Sequence, residues 1–491
     1  VPVDVPGAAH RHPDDLEGLL AEIVRAGPLS RDDEGDFYAR AHQSALALAV
    51  CSIASRVIDP DHPHWWQLST SAPAFAAVLS NSYPCPVRSV VQRLLANPGV
   101  DQIVWPIAAI LFAVQIRNAT SGTFGVDLHA MWQGSRHFLH HEDPYGNPHT
   151  YLALLYPPAS LVAFAPLALL PFSVAKYAMV VVCAAVLVWS IWIVARTVRP
   201  EHATTITGIG VLGLALFGPS YSTFLLLNIS LLFVPAVAAF LWFAARQRWV
   251  AAAVILGISL SIKPVLVPLI LVAVMARRWR AVAFAIAIPV LANLAVLPLL
   301  SKPGQFLDKT APAVLRGDVS TLGANNLSLA GISDSFNIPA AGEGALRITV
   351  ACFALIVLWR LGGRAGDFGD LIRIAEAAAL VLAAGLIVAP VDEVHYHLAL
   401  VPVLVTAASE RSVLRGALVW LGVALIGLSG LPNLGFSQTE ANQIRSAVGL
   451  GLIVAGVTIG WAVRARNIST PESGTAITAQ STAGTVPGRR V

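Results

Sequence analysis

The sequence predicts an all-α polytopic membrane protein, and three observations predict it. Of 491 residues, 56% are hydrophobic and only 12% charged, whereas soluble domains carry about a quarter charged residues. Apolar runs of roughly 20 residues, the length that crosses a bilayer, follow one another from Ile103 onward. Arginines cluster between those runs, as they do in cytoplasmic loops. The formal net charge of +4 is small and points to no nucleic-acid partner. The four cysteines show no metal or disulfide spacing.

Three domains are expected. Residues 1–100 read as a mostly cytoplasmic N-terminal extension without chemistry of its own. Within it, 14–26 suits a short amphipathic helix and 45–58 is apolar but too short to span. The run His62-Pro-His-Trp-Trp66 suits an interfacial anchor, because Trp favours that zone. Residues 101–466 form the membrane domain, and the Ser/Thr/Gly-rich tail 467–491 is expected to be disordered.

About twelve spans are expected, near 103–117, 174–195, 204–220, 229–245, 249–262, 264–276, 281–300, 346–361, 371–388, 395–409, 413–430 and 446–463. The piece 156–172 is apolar but short and carries four prolines, so it reads as re-entrant or interfacial. With both ends cytoplasmic, the arginine groups at 196/199, 246/248, 277/278/280, 360/364, 411/415 and 464/466 share one face. Asp127, Asn228, the loop from Lys302 to Arg316, and Asp392-Glu393 then share the external face.

Those external polar residues are the candidate site. A charge within or beside a span is costly and functional by default. Asp127 opens a polar loop and suits a general base, or alternatively a helix N-cap. Lys263 stands before the helix-breaking Pro264; it suits an anion site, or merely snorkels to the headgroups. Asn228 interrupts an apolar run and suits substrate binding, or a bond between helices. The segment Asp392-Glu-Val-His395-Tyr-His397 opens another span and offers two reserve carboxylates. Its histidines suit substrate binding and an idle place at the interface equally. The histidines 137, 140, 141 and 149 lack a matching carboxylate pattern, so no metal is expected.

The order of these features resembles glycosyltransferase family 87, of the GT-C type found in actinobacteria. The resemblance lies in Asp127, Tyr156-Pro157-Pro158 and Ala165-Pro-Leu-Ala-Leu-Leu-Pro171-Phe. It continues in Ser261-Ile-Lys263-Pro264, Arg278-Trp-Arg-Ala281, Pro289-Val-Leu-Ala-Asn293 and Pro303-Gly-Gln-Phe306, covering about residues 103–400. Within the family the arabinofuranosyltransferases are the most similar. The His395-Tyr-His397 segment is nearer the mannosyltransferase members, and Val126 stands where a second Asp is usual.

The resemblance implies a multi-pass plasma-membrane enzyme with its active site on the external face. The donor would be a sugar on a polyprenyl phosphate, with arabinofuranose the first choice and mannose the alternative. The acceptor would be arabinan, mannan or a glycolipid of the cell envelope. A lipid phosphate is already a stable leaving group, so no cofactor is implied. The reaction needs a base, assigned to Asp127, and cations for the donor phosphate, assigned to Lys263, Lys302 and Lys309. Substrate binding is assigned to Tyr156, Asn228, Asn325, Asn326, Asp392, His395 and His397. A lipid or solute transporter is the rival, but it calls for internal repeats with paired broken helices, and no convincing repeat is visible.

Overall fold

The computed structural model describes residues 99–120, 125–147, 153–317, 326–362, 368–428 and 436–469. The expectations for 1–98 and 470–491, and those for His149, Asn325 and Arg364, lie outside the described residues. All regular structure among the described residues is helical. The main helices are α1 (Val100–Thr120), α2 (Val126–Leu139), α3 (Ala159–Ala168), α4 (Phe172–Val198), α5 (Ala203–Leu216), α6 (Gly218–Leu226) and α7 (Phe233–Ala245). They continue as α8 (Trp249–Ile262), α9 (Trp279–Val296), α10 (Ala340–Leu361), α11 (Leu371–Val388), α12 (Ala417–Gly427) and α13 (Gln438–Ser469).

Each expected span falls on an apolar helix, but not all are full spans. Among the described residues six helices are long and apolar enough to cross a membrane: α1, α4, α9, α10, α11 and α13. The α5–α6 pair, bent by 71°, has that length and apolarity only when its two helices are taken together. Phe217, at the bend, is extended and followed by Gly218-Pro219. Proline lacks the N–H that would continue the hydrogen-bond ladder, so the axis changes there. The other five expected spans, 229–245, 249–262, 264–276, 395–409 and 413–430, fall on the shorter apolar helices Ile229–Ala245, Trp249–Ile262, Pro264–Met275, Val394–Ala408 and Ala417–Gly427. At 1.5 Å per residue the 14 residues of α8 reach about 21 Å, short of a hydrocarbon core of about 30 Å. The apolar piece at 156–172 contains only the ten-residue α3, too short to cross.

Helix α11 is central, almost wholly buried along its alanine-rich length. Its two ends differ in chemistry. At one end Arg464 makes a two-pronged pair with Glu376, at 2.8 and 2.9 Å. Arg411 lies 3.5 Å from Asp370, Arg199 binds Glu410 at 2.8 Å, and Arg278 binds Gln247 at 2.6 Å. The arginine clusters that the sequence sets on one face thus contribute members to one end of the bundle. At the other end α11 runs into Pro390-Val-Asp392-Glu393 and the polar residues described next.

Candidate functional site

Helical structure breaks at three places, and each break delivers a polar side chain to one cavity. Pro264 clashes with a helical conformation of the residue before it, so Lys263 is extended (φ −154°, ψ 122°) and ends α8. The chain then turns back through Pro264–Met275, making a short hairpin with Lys263 at its tip. Leu227, in the left-handed region (φ 47°), ends α6, and Asn228 follows as an extended residue that caps a 3-10 turn. Glu393 is extended as well and opens the 3-10 segment Val394–Leu400. Irregular backbone at membrane depth is tolerated where it is buried in protein or lines a cavity.

The cavity measures about 640 Å³ and is lined by Asp127, Tyr156, Asn228, Lys263, Glu393 and Tyr396. Its remaining wall is apolar, including Val265, Val267, Pro268 and Leu386. Asp127 lies in the first turn of α2, but Gly125 is the N-cap and no side chain caps the helix. The capping role is therefore not the one Asp127 fills. Gly125 has φ 82°, a conformation natural to glycine, and its N–H donates to the Leu225 carbonyl at 2.8 Å. That bond docks the start of α2 against the end of α6. Asn228 Nδ2 then donates to Asp127 Oδ2 at 2.5 Å, while its Oδ1 accepts from the Ser230 N–H and hydroxyl. Asn228 thus serves as a fixed donor to Asp127, held by Ser230 behind it.

Lys263 is buried, with Nζ 3.5 Å from Glu393 Oε2. It also lies 4.2 Å from the Tyr396 ring centre and 5.0 Å from that of Tyr156. A lysine so enclosed does not snorkel. Tyr156 is fixed from two sides: Tyr145 Oη donates to its carbonyl at 2.9 Å, and Asn293 Oδ1 accepts from the Ala159 N–H at 2.9 Å. Asn293 thereby anchors the Tyr156-Pro-Pro158 segment to α9. Burial raises the Asp127 carboxyl above the ordinary carboxylate range, assisted by Glu393 and opposed by His395, Asn228 and Lys263. Burial pushes Glu393 the same way, but His395 and Lys263 outweigh it and hold the carboxyl below its usual range. Two neighbouring carboxylates are thus driven apart, one toward a proton-accepting role and one toward permanent charge.

A second layer supports the wall. Asn326 Nδ2 donates to the Pro390 carbonyl at 2.9 Å, and its Oδ1 accepts from the Asp392 N–H at 2.9 Å. Asp392 Oδ2 meets His397 Nε2 at 3.1 Å, and Ser446 of α13 meets the same nitrogen at 3.2 Å. His395 Nε2 is 2.8 Å from Glu393 Oε2. Neither histidine is idle at an interface; both are buried against carboxylates.

Of the residues singled out in the sequence, Asp127, Tyr156, Asn228 and Lys263 line the cavity together. His395, Asn326, Asp392 and His397 do not line it; His395 holds Glu393 and the other three hold the loop. Lys302 and Lys309 are not in the cavity either. Lys302 lies 3.9 Å from Asp143, and Lys309 lines a separate cleft on the polar loops. His137 bonds to Glu142 and Gln133. Among the described residues no group of three His, Cys, Asp or Glu side chains is placed to hold a metal. Glu393 and Tyr396 do line the cavity, where the sequence favoured Asp392. Successive side chains on extended backbone point to opposite sides, so only one of two neighbouring acids can face inward. Tyr396 is three residues beyond Glu393, one 3-10 turn, and so lies on its side.

The arrangement can take a proton at Asp127, hold an anion at Lys263 and accommodate an apolar chain along the remaining wall. The model of glycosyltransferase family 87 matches residues 154–390. An alpha-(1->3)-arabinofuranosyltransferase of Mycobacterium tuberculosis is 29% identical over 366 residues, 72% of this chain and 77% of the relative. Its counterpart in Mycolicibacterium smegmatis is 24% identical over 388 residues, 77% of this chain and 83% of the relative. A polyprenol-phosphate-mannose-dependent alpha-(1-2)-phosphatidylinositol pentamannoside mannosyltransferase of M. tuberculosis is 28% identical over 424 residues, covering 80% and 91%. No solved structure matches.

Proposed function

We propose that this chain is a membrane glycosyltransferase of family 87 acting on cell-envelope glycans, as the match over residues 154–390 and the arabinofuranosyltransferase relatives support, and that it moves arabinofuranose from a polyprenyl-phosphate donor. The acceptor hydroxyl attacks the anomeric carbon and gives its proton to Asp127. The bond from that carbon to the phosphate oxygen breaks, and the electron pair leaves on the lipid phosphate. Lys263 stabilises the charge that develops there. Attack opposite the leaving group inverts the anomeric centre. A positioned base contributes about 10²–10⁴-fold, and fixed positive charge in a desolvated site adds an electrostatic contribution.

The observation that carries this proposal is the convergence of Asp127, Lys263 and an apolar wall on one cavity. Glu393 keeps Lys263 in place and charged. Asn228 and Tyr156 line the space beside them and bind the sugar. We also propose that the cavity faces the external side, since members of the arginine clusters gather at the opposite end of α11. Mannose is the second reading, supported by the mannosyltransferase relative and the His395-Tyr-His397 segment.

Purified protein supplied with labelled polyprenyl-phosphate arabinofuranose and, separately, polyprenyl-phosphate mannose tests the donor. Arabinofuranose transfer to a cell-envelope oligosaccharide is expected. Transfer of mannose alone would move the chain to the second reading, and transfer of neither would defeat both. Cysteine labelling of Asp127→Cys and Arg278→Cys from outside intact cells tests the sidedness. Modification of both at equal rates would overturn it.

A further inference from the structure

A second cavity lies beside the first, and its chemistry is different. It is an open cleft of about 580 Å³, within the range of small-ligand sites. Asp143, Asn147, Gln305, Asp308, Lys309 and Arg316 supply its polar lining. The two acids and two cations of the lining balance, and Lys302 outside it pairs with Asp143 at 3.9 Å, so the cleft lacks the concentrated positive charge that selects a phosphate. Carboxylates that accept, cations that donate and amides that do both match a neutral ligand rich in hydroxyls.

The two cavities share a partition. Val314 lines the inner cavity, while Ala313 and Arg316 of the same helix line the cleft. Tyr145 lines the cleft and donates its hydroxyl to the carbonyl of Tyr156, which lines the cavity. Asp308 and Lys309 are exposed and ride on a π-helical turn, Phe306–Thr310, an irregularity frequent at functional sites. The Phe306 ring packs 5.1 Å from that of Tyr145, fixing the turn to the partition.

We propose that this cleft binds the neutral glycan acceptor, presenting its hydroxyl across the Tyr145–Tyr156 partition to the inner cavity. The proposal rests on the transferase reading above. It gives Lys309 a sugar to bind rather than the donor phosphate, and leaves the apolar-walled cavity to the lipid-linked donor.

The test uses the full-length protein, short neutral arabinofuranose and mannose oligosaccharides as acceptors, and the variants Asp308→Ala, Lys309→Ala and Gln305→Ala. Loss of a hydrogen bond to a charged group should raise the acceptor KM about tenfold in the first two, with donor KM and the rate at saturating acceptor unchanged. An unchanged acceptor KM in all three variants, or a raised donor KM in its place, overturns the proposal. Titration of the same oligosaccharides without donor is the second arm. Wild-type protein that binds them, with weaker binding by Asp308→Ala, supports the cleft even if no transfer is found, in which case the transferase reading alone has failed. Equal binding by wild type and a normally melting Asp308→Ala protein overturns the cleft whatever the transfer assay reports.

Discussion

Helix α11 holds a buried glutamate near one end and leads, just past the other, to a half-buried one, Glu393, and the two are used in opposite ways. Glu376 is fully enclosed and saturated: Arg464 takes both oxygens, Trp461 Nε1 donates at 2.7 Å and the Val413 N–H donates at 2.9 Å. Nothing is left for a ligand, and the three segments it joins are locked together. Glu393 faces a cavity, shares its lysine at a looser 3.5 Å and leaves that lysine room for another anion. The same residue type is a clasp where all its partners belong to the fold, and part of a site where one side is open. What decides between them is backbone regularity. Glu376 projects from an unbroken helix, whereas Glu393 and Lys263 stand at breaks.

Removing Lys263 should have the largest effect. Lys263→Ala should lower kcat/KM by about 10²–10³-fold, as loss of one donor to a developing anion does, while Lys263→Arg keeps part of the activity. If turnover and donor KM are both unchanged in the alanine variant, the contrast between the two ends collapses. Next is Glu376→Ala, which strands Arg464 without its partner and should cost about 3 kcal/mol of stability. Its signature is a lowered melting temperature with unchanged turnover per folded molecule; normal melting would mean that the clasp is idle.

The pH profile gives a smaller, sharper test. A base at Asp127 has to be deprotonated to act, and burial raises its carboxyl. Activity should therefore be lost, as pH falls, above the ordinary carboxylate pKa of about 4. Glu393→Gln removes a negative neighbour that raises Asp127, so the acid limb should move to lower pH. A limb that moves the other way would assign it to another group. The smallest effect belongs to the exposed pair Arg199–Glu410. Arg199→Ala should change stability by less than about 1 kcal/mol, and a large loss there would show that surface charges, too, hold the arginine end.

Much of this is legible in the sequence. Apolar runs mark the helices because lipid leaves the chain little choice, and Pro264 announces the break that exposes Lys263. Asp127 stood out because a carboxylate beside a span is expensive. Three things were not legible. Whether an apolar run of 14 residues crosses or turns back depends on its neighbours, so the five short helices read as full spans. Which of Asp392 and Glu393 faces inward depends on where the extended segment begins. The placement of Lys302 and Lys309 depends on loop packing, because charge alone carries no address.

The central claim is that chemistry occurs at the broken-span cavity with Asp127 as the base. Transfer by Asp127→Asn, measured beside thermal unfolding of the same purified protein, tests it most directly. Asn keeps the size of the side chain and can still bond to Asn228, but it cannot take a proton at neutral pH. Transfer should fall by at least about 10²-fold, with unchanged melting and retained donor binding. Near-normal transfer by the variant would contradict the claim and turn attention to Glu393.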